Sequence, residues 1–101
     1  MFRRIALRGQ QGTIAWNYRT VVTLGPWTLH REPNAKDGTL PRVFDLRATI
    51  VGPVDGFSLR QVPLLFTAPR GGRNAGLFCF PVQQVRVSES TLIATLGPPE
   101  Y

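Results

Sequence analysis

The stretch Gly12-Thr13-Ile14-Ala15-Trp16-Asn17-Tyr18-Arg19-Thr20-Val21-Val22-Thr23-Leu24 decides the fold class of this chain. Ile14, Trp16, Tyr18, Val22 and Leu24 fall on one parity, and Thr13, Asn17, Arg19 and Thr23 fall on the other. Successive side chains of an extended backbone point to opposite sides, so this period of two marks a strand with one buried face; a helix would scatter the same residues around its axis. Read as one strand, the run is longer than the usual five or six residues. It should then bend and serve two sheets or two sides of one barrel.

Upstream, Phe2 to Arg8 alternates as well, with Ile5 and Leu7 opposed to Arg4 and Arg8, and Gly9-Gln10-Gln11-Gly12 reads as the turn into the long strand. Downstream, Gly25-Pro26 interrupts the ladder and Trp27 and Leu29 continue on the other parity. One inserted residue, a β-bulge or a barrel corner, would return them to the same core. Glu32 to Pro41 is a polar loop around Asp37-Gly38. Val43 to Val51 is a second clean strand, with Phe44, Leu46, Ala48 and Ile50 inward and Asp45, Arg47 and Thr49 outward.

Gly52 to Gly56 is a tight connection, Phe57 to Gln61 alternates again, and Pro63 marks an edge or kink before the apolar Leu64-Leu65-Phe66. Pro69 to Gly76 reads as a long hairpin loop. In Leu77 to Ser88 the apolar parity changes at Gln83-Gln84, the mark of a second bulge, and Thr91 to Leu96 is the last strand.

The sum is six to eight strands with no obligatory helix, and nine prolines oppose long helices at roughly 3 kcal/mol for each interior position. The expected fold is a single all-β domain over residues 1–96 with a Pro-rich tail at 97–101. A small, partly open antiparallel β-barrel, OB-like or related, comes first and a β-sandwich second. Trp16, Tyr18, Phe44, Phe57, Phe78 and Phe80 are expected in its core. Arg4-Ile5-Ala6-Leu7-Arg8-Gly9 resembles the opening strand of bacterial single-stranded-DNA-binding proteins of the OB type. The resemblance covers under a tenth of the chain, and Gly52 to Gly56 leaves no room for the helix that separates the third and fourth OB strands.

Hydrophobic residues make up 43% and charged residues 18%, which suits a compact, turn-rich domain. The net charge is +6 and eleven of the twelve basic residues are Arg, a balance that favours anionic partners and is also what GC-rich coding produces. Cys79 alone makes no internal disulfide and no structural zinc set. Arg8-Gly9-Gln10 interrupts any apolar leader after Met1-Phe2-Arg3-Arg4, and nothing approaches the roughly 20 apolar residues of a membrane span. The expected location is cytoplasmic.

Catalysis is poorly supported. His30 is the one histidine and sits beside Arg31, Cys79 lies between two phenylalanines, and no carboxylate pair has a spacing that ensures proximity. Neither an enzyme nor a cofactor or metal is expected. Binding is better supported: Arg19, Arg47, Arg60 and Arg86 fall on polar parity or at strand breaks and would form one basic sheet face if their strands were neighbours. Arg70 and Arg73 flank Gly71-Gly72, where backbone amides and guanidiniums would cradle phosphate. Trp27 and Tyr101 are the aromatics expected to be free for base stacking. The leading expectation is a non-enzymatic module that binds single-stranded or structured nucleic acid, DNA or RNA, through phosphate contacts. The alternative is a structural or adaptor subunit of a larger assembly, such as a viral particle or a secretion machine. It would act through acidic protein surfaces or as a homo-oligomer.

Overall fold

A computed structural model of the chain describes residues 5–31, 43–70 and 76–99. Among these residues seven strands carry the fold: β1 Ile5–Gly9, β2 Gly12–Trp16, β3 Arg19–Arg31, β4 Phe44–Ile50, β5 Leu64–Pro69, β6 Leu77–Ser88 and β7 Thr91–Leu96. All their pairings are antiparallel, in the order β1-β3-β2-β5-β6-β7-β4, and β4 pairs back onto β3. Six strands therefore close a barrel, with β1 as a seventh strand on the flank of β3. This is the small all-β barrel that the alternation predicts.

The opening stretch is a hairpin and not one strand. Asn17 and Tyr18 both have positive φ, 52° and 64°, as a two-residue type I′ turn requires, and Trp16 pairs with Arg19 across them. The turn alone would reverse the parity. Beyond it, Ile14 faces Val22 while Ala15 faces Thr20, so β3 carries one extra residue at Val21. That bulge reverses the parity again, so the two reversals leave the same parity apolar before the turn and beyond the bulge, broken only at Thr20-Val21. The true long strand is β3, whose 13 residues pass through Gly25-Pro26. There Leu24 faces Ile50 and Trp27 faces Ala48, so the bulge expected at that dipeptide is present.

Gly9-Gln10-Gln11-Gly12 does not reverse the chain. Gly9 faces Trp27 and Gly12 faces Leu24, so β1 and β2 run in one direction along β3 with a kink between them. The second expected bulge is also found, since Val82 faces Leu96 and Gln84 faces Thr95.

The core fills the barrel with Ile14, Val22, Leu24, Leu29, Leu46, Phe66, Leu92 and Leu96, each almost wholly buried, and each contributing about 1.5–3 kcal/mol by leaving water. Three aromatic assignments are corrected. Tyr18 is fully exposed at the hairpin tip and Phe57 is 72% exposed, whereas Trp27, expected to be free, is 3% exposed; Trp16, Phe44 and Phe78 are half-buried and pack against the core. Trp27 meets Phe66 edge-on at 5.1 Å between centroids. Its Nε1–H donates to the carbonyl of Gln11 at 2.7 Å, which satisfies the indole inside the core.

Phe57 to Gln61, read as a strand, is a single 3₁₀ turn over Ser58–Arg60. Asp55 accepts from the Ser58 backbone N–H at 3.1 Å and from the Ser58 hydroxyl at 2.7 Å. Such local side-chain bonds compete with a ladder. They also hold the Asp55 carboxyl below its ordinary pKa, chiefly through the hydroxyl. Leu59 packs onto the core from this turn.

Candidate nucleic-acid interface

The register places one row of residues straight across five neighbouring strands. Arg8 on β1 faces Thr28 on β3, Thr28 faces Arg47 on β4, Arg47 faces Ile93 on β7, and Ile93 faces Arg86 on β6. Trp27, Leu29, Leu46, Ala48, Leu92 and Ala94, which flank Thr28, Arg47 and Ile93, are buried, so these three stand on the outer wall, and the register puts Arg8 and Arg86 on the same side. Arg8, Arg47 and Arg86 are all exposed. Neighbouring strands lie about 4.8 Å apart, so consecutive arginines of the row are roughly 10 Å apart and the stripe is about 20 Å long.

Two shallow depressions accompany the stripe. The first, of about 280 Å³, is lined by Arg8 and Arg47 together with Gln10, Thr28, Thr49 and Thr91, and Trp27 and Gly9 lie beneath it. A Cβ on Gly9 would overlap the Trp27 ring, so glycine lets β1 lie flat on the indole at this point. The second, of about 270 Å³, is lined by Gln84, Val85, Arg86, Ile93 and Thr95. The outer face of β7 separates the two: Thr91 lines one, and Ile93 and Thr95 line the other. Guanidiniums with adjacent hydroxyl and amide groups suit phosphate oxygens, which accept several charge-assisted hydrogen bonds at once. On the same wall Asp45 lies two residues from Arg47 and faces His30.

The other arginines named from the sequence lie elsewhere. Arg19 faces Trp16 at the hairpin tip, on the parity of the buried Ile14, and so does not share the outer wall. Arg60 ends the 3₁₀ turn. The guanidinium of Arg70 lies 4.8 Å from the Phe78 ring centroid, and its backbone N–H donates to Gly76 O at 2.8 Å, closing the β5–β6 hairpin. Arg73, Gly71-Gly72 and Tyr101 lie outside the described residues. Trp27 is the clear correction, because a ring buried in the core offers no face to a base. Arg8 and Thr28 were missed: Arg8 was read as outward-facing, but only the register shows that it stands in line with Arg47.

No protein-family model, curated protein or solved structure matches the chain.

A further depression, of about 650 Å³, lies between the β1–β2 kink, Gly25-Pro26, Val51 and the end of β5, and its lining contains no titratable residue. Among the described residues no group of three or more His, Cys, Asp or Glu could hold a metal ion. No helix among them is long and apolar enough to cross a membrane.

Proposed function

We propose that this protein is a non-enzymatic β-barrel module that binds nucleic acid through its phosphates, with little preference for sequence. The observation that carries the reading is the alignment of Arg8, Arg47 and Arg86 in one cross-strand row on the outer wall. Each arginine that neutralises a phosphate releases condensed counterion, which supplies affinity independent of base identity. With Trp27 in the core, the stripe offers no aromatic platform, so phosphate contacts carry the binding and base stacking does not. The net charge of +6 favours encounter with any polyanion. The test is fluorescence anisotropy with labelled oligonucleotides of unrelated sequence. The wild-type protein should bind them with similar affinity, and the triple variant Arg8→Gln/Arg47→Gln/Arg86→Gln should fold normally and bind every one of them more weakly, with a shallower salt dependence. Wild-type-like binding by the triple variant would overturn the assignment.

A second reading, a subunit that docks into a larger assembly, is favoured by a different region. Tyr18 is 101% exposed, and it holds a left-handed backbone conformation that bulky residues rarely adopt. Phe57 and Val62 are also exposed, and the bond from Asp55 N–H to Val21 O and the pairing of Trp16 with Leu64 tie their segment to this hairpin. Exposed aromatics beside Arg19 and Arg60 have the composition of interface hot spots. Sedimentation velocity tests the self-associating form of this reading: concentration-dependent oligomers that Tyr18→Ser/Phe57→Ser abolishes would favour it.

A further inference from the structure

We infer that the stripe is a track for a flexible single strand that curves round the barrel, and that a duplex engages only its Arg8–Arg47 end. The inference rests on the phosphate-binding reading and deepens it. Six strands close the barrel, so the outward direction turns by about 60° per strand on average. Arg47 on β4 and Arg86 on β6 are two strands apart, so their side chains leave the wall about 120° apart. Arg8 and Arg47 are also two strands apart along the row, but β1 lies outside the closed ring and both residues line one depression. They can face a common ligand. Arg86 lines the other depression, together with Ile93 and Thr95 of β7.

A double helix is stiff over about 150 base pairs and stays straight across a stripe of roughly 20 Å. Seated on Arg8 and Arg47, it leaves Arg86 pointing away from it. A single strand has rotatable bonds at every nucleotide and can follow the wall from the first depression to the second. The intervening Ile93 is half-buried and uncharged, so it neither attracts nor repels the backbone as the strand crosses.

The experiment measures the salt dependence of affinity for a labelled single strand and for a labelled duplex of the same length. The proteins are the wild type, Arg86→Gln and Arg47→Gln, with Arg86→Lys as a charge-preserving control. Arg86→Gln should flatten the single-strand slope of log affinity against log salt by about 0.7 and leave the duplex slope unchanged. Arg47→Gln should flatten the single-strand slope by about 0.7 and the duplex slope by about 0.9. Arg86→Lys should behave as wild type. If Arg86→Gln flattens both slopes, or neither, the curved track is wrong, although phosphate binding at Arg8 and Arg47 stands as long as Arg47→Gln has its effect. If the wild type binds neither probe, both the track and the reading beneath it fail.

Discussion

Replacing Trp27 by Ala should be the most damaging of the aromatic truncations. The indole is 3% exposed, meets Phe66 edge-on at 5.1 Å, and donates to Gln11 O at 2.7 Å. Removing it empties a large site between β1 and the barrel and leaves a carbonyl at the β1–β2 kink without its donor. Truncations of buried Trp or Phe cost about 3–5 kcal/mol. A domain of this size has about 5–15 kcal/mol in reserve, so the loss is a large share of the total. At about 4–8 °C per kcal/mol, the melting temperature should fall by at least about 12 °C. Trp16→Ala should cost less, because that ring is half-buried at the hairpin tip. Urea unfolding of the two variants, followed by circular dichroism, gives the comparison directly. A loss at Trp16 equal to or larger than that at Trp27 would refute the placement of Trp27 in the core.

Three further outcomes follow from the same structure. Gly9→Val should destabilise the protein by about 1–3 kcal/mol in thermal unfolding, because its side chain must enter space held by the Trp27 ring; the cost should shrink in a Trp27→Ala background. Tyr18→Gly should raise stability by about 1–2 kcal/mol, since Asn-Gly relieves the positive φ of a type I′ turn and Tyr18 packs against nothing. Asp55 has a folded-state pKa lowered from 3.8, so its hold on Ser58 is present above that value and is lost as pH falls through the lowered one; the amide resonance of Ser58 should move in that window, and Asp55→Asn should remove the transition.

Alternation made the barrel class legible, together with the strands 44–50, 77–88 and 91–96 and the bulges at Gly25-Pro26 and Gln83-Gln84, because a buried face writes itself into the sequence every second residue. The Asn17-Tyr18 turn was hidden by cancellation: turn and bulge each reverse parity, and Asn-Tyr lacks the glycine that normally signals a type I′ turn. Trp27 was misjudged because the side that closes over it is β1, and pairing partners do not appear in local pattern. The 3₁₀ turn at Ser58 was set by the Asp55 carboxylate, which outweighs a weak alternation over five residues. At the candidate site, Arg47 and Arg86 were legible as outward-facing. Their alignment with each other and with Arg8 depends on register across five strands, which no single strand encodes.

The most direct measurement is the slope of log affinity against log salt for a single-stranded oligonucleotide, taken between about 50 and 200 mM salt. It compares the wild type with the triple variant Arg8→Gln/Arg47→Gln/Arg86→Gln. Three phosphate contacts made by the stripe predict a slope shallower by about 2.1 in the variant, at unchanged circular dichroism and melting temperature. An unchanged slope would mean that the row of arginines touches no phosphate.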